Sequence, residues 1–210
     1  MKITNFTHKH LKEAQDLLIK NYEEEKQCVP GLPEITRFPD LKHFAENGLG
    51  MVAIRNDEVI GYLCYYEPWD NAFKTSARGT FSHLHAHGSI AKDRDIIYRF
   101  LYQAAANHLI NQGITYHGIS LFAHDEQAKH ALFTCGFGLR CIDSIRLMNP
   151  IPLKKDTNIQ IRRLGHNEAI SIRSLREQLT NHLSKSPSFI YTSKDDYKNW
   201  ISRAEQRNCI

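Results

Sequence analysis

Residues 115–137 read TYHGISLFAHDEQAKHALFTCGF, a strand pattern followed by a helix pattern. The β-favouring run at residues 115–123 precedes Asp125, whose side chain favours the first position of a helix. Gly136 follows the last helical turn, where glycine commonly ends a helix. This stretch therefore predicts a strand and a helix that begins after Asp125 and ends at Thr134.

The residues on either side of this stretch continue the alternation of strands and helices. Their hydrophobic periodicity predicts, in chain order, a strand at 2–6, a helix at 11–22, a short helix at 39–47, strands at 51–55 and 59–66 joined by a hairpin, a strand at about 79–86, a long helix at 93–112, and a last strand carrying Leu139, Cys141, Ile145 and Leu147. This order predicts an α/β sandwich, with a mixed sheet flanked by helices and an antiparallel front half.

The composition is that of an ordinary globular protein. The chain has 210 residues, of which 41% are hydrophobic and 24% charged. It has no apolar run of membrane-spanning length and no secretory signal pattern, so we expect a cytoplasmic protein that is not bound to a membrane. The five cysteines are widely spaced, which argues against a disulfide framework or a zinc ribbon, and the net charge of +4 is too diffuse to predict a nucleic-acid partner.

A proline-containing segment divides the chain into two parts of unequal length. Residues 149–157 begin NPIPLKKD and interrupt the apolar patterns on either side, so we interpret them as a linker. Residues 1–148 are long enough for one domain, whereas residues 158–210 are short for an independent core.

The short second part resembles the beginning of the first. KITNFTH at residues 2–8 is similar to QIRRLGH at 160–166, and DLKHF at 40–44 is similar to DYKNW at 196–200. Two matches in the same order indicate either an internal repeat or chance similarity. If the repeat is real, residues 158–210 are the first strand and helices of a second domain whose remainder is missing.

The order of elements and several local motifs resemble the GNAT superfamily of acyl-CoA-dependent N-acyltransferases. The resemblance covers residues 1–148 and, in part, 158–210. Its motifs are VIGY at 59–62, NQG at 111–113 after the long helix, and the spacing of Asp125, Ala128, Gly136 and Phe137.

The resemblance implies a reaction, a cosubstrate and binding residues. A primary amine, on a small molecule or a peptide, would attack the thioester of acetyl-CoA directly. Backbone N–H groups would hold the thioester carbonyl, and the start of the long helix would hold the pyrophosphate, with Arg94 in contact. The matching positions are Leu84, His85 and Ala86 for the thioester, and Arg94, Asp95, Ile96, Ile97 and Tyr98 for the phosphate-binding turn.

Two departures from the family pattern predict an alternative function. The phosphate-binding turn has no glycine, and Leu132 stands where the family often has a tyrosine acid. The alternative is an inactive GNAT-like module that supports or regulates the second half of a tandem acetyltransferase. A homodimer of the protein is a further possibility. The segment HGS at 87–89 could supply a different anion-binding loop.

Histidines form the sharpest local pattern. On a strand at 79–86, the alternation of His83, His85 and His87 would place three imidazoles on one face. They would be metal ligands, one would be a general base beside the thioester, or all three would fill a polar face. Because successive imidazoles on one strand are too far apart to complete a tetrahedral site, we predict no metal.

Two further groups of side chains have open interpretations. Tyr62, Tyr65, Tyr66 and Trp69 either line a cleft for the amine or pack within the sheet. The run EEE at 23–25 is predicted to be a solvated end of the first long helix.

Overall fold

The computed structural model describes residues 1–150, 162, 164–185, 199–200 and 202–203, and the chain divides into two compact units. The first unit contains Met1–Gly138 and Ile142–Leu147, and the second contains Leu139–Cys141 and Met148–Ile210. None of the described helices is long and apolar enough to cross a membrane.

The first unit is a mixed α/β structure, as the sequence predicts. Its elements are β1 (Lys2–Asn5), α1 (Leu11–Cys28), α2 (Lys42–Asn47), β2 (Gly50–Arg55), β3 (Glu58–Cys64), β4 (Gly79–Ser82), β5 (His87–Ser89), α3 (Arg94–Asn111), β6 (Tyr116–Ile119) and α4 (Glu126–Thr134). Antiparallel pairs join β1, β2, β3 and β5 in that order, while β4 and β6 form a parallel pair.

The sheet separates two hydrophobic cores because successive side chains of a strand point to opposite faces. Val52 and Tyr62 pack with α1 and α2 on one face, whereas Met51, Ala53 and Leu63 pack with α3 on the other. α4 in turn packs on α3, around the buried Tyr98. The helices thus pack against both faces of β2 and β3 and hold these two strands in position.

The predicted strand at 79–86 is wrong as a single strand. Leu63 pairs with His87, so unbroken pairing would place Trp69 opposite Phe81, but Trp69 lies opposite Gly79. The segment therefore carries two extra residues relative to β3, and it accommodates them in a turn at residues 83–86, where the N–H of Ala86 donates to the carbonyl of His83 at 2.8 Å.

Two other boundaries also differ from prediction. The first long helix continues past Tyr22 to Cys28, and residues 139–147 do not form the predicted last strand. Leu139 and Ile145 are instead more than half exposed, and no described strand pairs with this segment. An alternating pattern is not sufficient for a strand without a partner edge, because most of strand propensity is cross-strand packing.

The second unit contains a short 3-10 helix at His166–Ile172 followed by α5 (Arg173–Lys185). The linker from residue 151 onward, most of the predicted strand of the second copy and most of residues 186–210 lie outside the described residues. The predicted repeat stays a prediction.

Candidate functional site

The strand pairs diverge at the turn, and this divergence creates the candidate site. Before the turn, β4 pairs with β6, and after it, β5 pairs with β3 instead. The side chain of His87 spans the gap that opens, because its Nε2 donates to the carbonyl of Ser120 at 2.7 Å and its Nδ1 lies 2.7 Å from the hydroxyl of Tyr98. Burial lowers the pKa of His87, so the ring is neutral.

The turn at residues 83–86 is held from several directions. The Tyr62 hydroxyl donates to the carbonyl of His85 at 2.9 Å, and the N–H of Cys64 donates to the carbonyl of Ala86 at 2.7 Å. The N–H groups of Leu84 and His85, by contrast, have no hydrogen-bond acceptor among the described residues. A rigid turn thus presents two unpaired backbone donors, whereas the predicted third donor, Ala86, is engaged within the turn.

His85 places an imidazole beside these donors. Its Nε2 lies 3.1 Å from the Tyr66 hydroxyl, and its ring stacks on that of His83 with centroids 6.1 Å apart. Burial, and secondarily the neighbouring His83, lower the pKa of His85 below its ordinary value. His85 is therefore neutral at pH 7, and its Nδ1 has no partner among the described residues.

Aromatic side chains surround Tyr66 on this side of the turn. The Tyr66 ring contacts the rings of His43, Phe44 and His83, and the Glu67 carboxylate lies 2.7 Å from Nε2 of His43. Of the four aromatic residues singled out in the sequence, Tyr62 and Tyr65 are buried in the sheet, whereas Tyr66 and Trp69 are accessible. The second pair remains available to contact a ligand.

Arg94, at the start of α3, is the centre of a charged cluster. Its guanidinium lies 2.7 Å from the carboxylate of Glu24 and 3.2 Å from that of Asp125, and it donates to the carbonyl of Ser89 at 3.1 Å. Burial opposes the charge, but Asp125 and Glu24 hold the pKa of Arg94 above its ordinary value. The side chain is only 8% exposed, and its Nε, Nη1 and Nη2 atoms all donate to groups within the protein.

α1 contributes two further contacts to this cluster. The Asn21 side chain donates to the carbonyl of Ser89 and accepts from its N–H, both at 2.9 Å, and the buried Glu25 lies 2.9 Å from Nδ1 of His124. These residues border a cavity of about 110 Å³, lined by Asn21, Glu24, Glu25, Cys28, Arg94, Phe122, His124 and Asp125. We refer to Asn21, Glu24, Glu25, Arg94, His124 and Asp125 as the Arg94 cluster.

The sequence analysis did not predict that side chains of α1 contribute to the Arg94 cluster. Glu25 is buried rather than part of a solvated helix end, and Glu24 is ion-paired. The signal was present in the helical spacing, since Asn21 and Glu25 continue at i and i+4 the buried face that carries Ala14, Leu17 and Leu18.

The predicted phosphate-binding positions fall on both faces of α3. Ile97 and Tyr98 are buried in the two cores, Ile96 is exposed, and the Asp95 carboxylate lies 3.4 Å from Arg99. Their role in cofactor binding stays a prediction.

The predicted anion-binding loop at 87–89 is the strand β5, not a loop. The interpretation of His83, His85 and His87 as one face of a strand is also wrong, because the turn separates the first two from the third. Within the described part of the chain, no group of three or more histidine, cysteine, aspartate or glutamate side chains is arranged to hold a metal ion.

A serine–histidine pair joins β4 to β6. The Ser82 hydroxyl donates to the carbonyl of Cys64 and lies 2.9 Å from Nε2 of His117, whose pKa burial lowers to about 3. Ser82 is fully buried, so the pair holds strands together and is not a nucleophile.

The comparisons with known proteins identify the fold. No family model and no curated protein matches the chain. Among solved structures, the wild-type protein TTHA1254 from Thermus thermophilus is 17% identical with a TM-score of 0.50, covering 72% of this chain and 100% of that one. A tetramutant of the BH1408 protein from Bacillus halodurans is 13% identical with a TM-score of 0.51, covering 73% and 100%.

A ribosomal-protein-alanine N-acetyltransferase from Brucella melitensis biovar Abortus 2308 is also similar, at 9% identity and a TM-score of 0.47, covering 70% of this chain and 100% of that one. The antiparallel front sheet and the long helix α3 match the arrangement that the sequence predicts, and the parallel pair β4–β6 makes the architecture mixed, as expected. The chain therefore has the α/β fold of the TTHA1254 and BH1408 proteins.

Proposed function

We propose that this chain is an N-acyltransferase that transfers the acyl group of acetyl-CoA to a primary amine of a small molecule or peptide. The observation that carries the proposal is the pair of unpaired backbone donors, the N–H groups of Leu84 and His85, in a rigid turn where two strand pairs diverge. Preorganised backbone donors of this kind stabilise the negative charge that develops on a thioester oxygen under attack.

The residues present fit the thioester end of acetyl-CoA, but they do not fit its diphosphate end while Arg94 is paired. The turn offers donors for the thioester carbonyl. The diphosphate would lie at the start of α3, where Arg94 is the natural contact, but Glu24 and Asp125 already occupy that guanidinium. Asp95, in the first turn of α3, adds a further negative charge.

His85 is the side chain best placed to act as general base. It is neutral at pH 7, and when its Nε2–H donates to the Tyr66 hydroxyl, Nδ1 is free to take a proton from the amine. The amine nitrogen then forms the bond to the carbonyl carbon, the carbon–sulfur bond breaks, and the thiolate leaves, finally taking up the proton. The hydroxyl of Tyr66 supports the charged imidazolium that forms in between.

The surroundings of Tyr66 favour a cationic amine as acceptor. The partly exposed rings of Tyr66 and Trp69 attract an ammonium group, and the Glu67 carboxylate, which pairs with His43 beside Tyr66, adds negative charge. An acceptor that arrives protonated needs a base, and His85 is adjacent.

The experiment is an assay of CoA release by the full chain with acetyl-CoA and a panel of primary amines. We expect amine-dependent release, and we expect His85→Ala to lower kcat/KM about a hundredfold, a typical loss for a general base. His130→Ala is the control because His130 is on α4, away from the turn.

The pH profile distinguishes a base from a structural residue. A base works only when unprotonated, and burial lowers the pKa of His85 from 6.5, so kcat/KM of the wild type should fall as the pH drops through that lowered pKa. His85→Ala should lose this acidic limb. A profile that is unchanged in the variant would contradict the assignment.

The Arg94 cluster favours a second candidate function, an inactive GNAT-like module that supports or regulates a partner half. Here the ion pairs of Arg94 and the hydrogen bonds between Asn21 and Ser89 would be permanent substitutes for a cosubstrate. Failure of the wild-type chain to bind acetyl-CoA and to release CoA with any amine would select this function over the first.

A further inference from the structure

We infer that Glu24 is a built-in competitor of acyl-CoA, which holds the diphosphate end of the site closed by occupying Arg94. The inference rests on the proposed function and adds to it a specific inhibitory contact within the chain.

Arg94 is held ready for an anion. Its guanidinium is buried and is oriented by the carbonyls of Ser89, at 3.1 Å, and Ile90, at 3.4 Å. It lies at the N-terminus of α3, where the helix dipole adds positive potential. Nη1 donates to Asp125 and Nη2 to the carbonyl of Ser89, so the remaining Nη2 donor, which Glu24 now occupies, is the one for which a diphosphate oxygen and a carboxylate oxygen are alternative partners.

Of the two carboxylates on Arg94, only Glu24 is free to leave. The Asp125 side chain is 13% exposed and caps α4 by accepting from the N–H of Ala128 at 3.0 Å. The Glu24 side chain is 46% exposed, and its single described contact is with Arg94. Glu24 can therefore turn into solvent without exposing an unpaired buried charge.

The neighbours of Glu24 hold the competitor in position. Asn21 is hydrogen-bonded to Ser89, and Glu25 is paired with His124, so the α1 backbone on either side of Glu24 is fixed. The cavity of about 110 Å³ beside Arg94 is several times the volume of one water molecule. Displacement of one side chain thus opens this end, and no movement of the α1 backbone is needed.

The test is isothermal titration of the full chain with two ligands in the absence of amine. Acetyl-CoA carries the diphosphate, and S-acetyl-pantetheine carries the same thioester without it. We expect Glu24→Gln to bind acetyl-CoA about tenfold more tightly than the wild type, because a neutral amide competes for Arg94 more weakly than the carboxylate of the ion pair does. Its affinity for S-acetyl-pantetheine should be unchanged.

The matched control is Glu23→Gln, which removes the same charge from the preceding, exposed position of α1 and should bind both ligands as the wild type does. Circular dichroism verifies that both variants fold. An unchanged affinity of Glu24→Gln for acetyl-CoA, or an equal gain for both ligands, would overturn the inference while leaving the proposed function standing. Binding of neither ligand by any of the three proteins would overturn the proposed function itself.

Discussion

The two ends of the candidate site differ in what their polar groups contact. At the turn, the N–H groups of Leu84 and His85 have no acceptor in the described chain. At the Arg94 cluster, about the start of α3, the guanidinium and the backbone of Ser89 have all found partners within the protein. The turn therefore has backbone donors available for a ligand, whereas the polar groups of the Arg94 cluster are already paired with one another.

This difference follows from burial. Unpaired N–H groups on an accessible turn remain hydrated and cost little, whereas a buried guanidinium without an anion is costly. A chain that retains Arg94 at this depth must therefore supply a carboxylate whenever no ligand is bound. Both ends follow from one requirement, which is that a buried polar or charged group needs a partner whereas an exposed one can be hydrated.

The largest effect is expected where the closed end depends on Arg94. Arg94→Met keeps the aliphatic volume but leaves Asp125 buried without its partner, so we predict a loss of about 3–5 kcal/mol in the free energy of unfolding. Urea denaturation measures it. Arg99→Met, which breaks the more exposed pair with Asp95, should cost no more than about 1 kcal/mol and is the control. Equal losses in the two variants would mean that the Arg94 cluster is not a closed, buried network.

A smaller effect is expected at the Asn21 contact. Asn21→Ala removes both hydrogen bonds to Ser89 and leaves the Ser89 N–H buried and unpaired, which should cost about 2 kcal/mol by the same measurement. Asn47→Ala loses contacts at an exposed helix end and should cost a few tenths of a kcal/mol. If Asn21→Ala is as stable as Asn47→Ala, the hydrogen bonds between α1 and β5 contribute little to the free energy of unfolding. The Arg94 cluster would then be less tightly paired than the structure indicates.

The elements that depend on local sequence could be predicted. The hairpin between β2 and β3 follows from Asn56 and Asp57, which adopt φ of 52° and 64°. The limits of α4 are also confirmed, because the Asp125 side chain accepts from the N–H of Ala128 and Gly136 has φ of 93°. In both cases the residue type determines the backbone conformation.

The features that depend on partners distant in sequence could not be predicted. The turn at residues 83–86 arises from the register against β3, which no property of the segment itself encodes. Glu25 is buried because His124, 99 residues away, reaches it. The alternation in residues 139–147 was a misleading signal, since these residues pair with no described strand.

The candidate site shows the same division. The resemblance and the histidine pattern single out His85 and Arg94, and the structure places them at the turn and at the start of α3. The sequence assigned Arg94 to a ligand without detecting Glu24, because an ion pair between α1 and α3 leaves no local trace beyond helical spacing.

We propose that the turn at residues 83–86 binds the thioester while Glu24 keeps the diphosphate end closed. The most direct measurement is the ratio of kcat/KM for acetyl-CoA to that for S-acetyl-pantetheine, with the wild-type full chain and one amine acceptor. Because the diphosphate must displace Glu24 to reach Arg94, we predict a ratio within about tenfold of one. A ratio of several hundred or more would show that the diphosphate end is open in the wild type and would contradict the account.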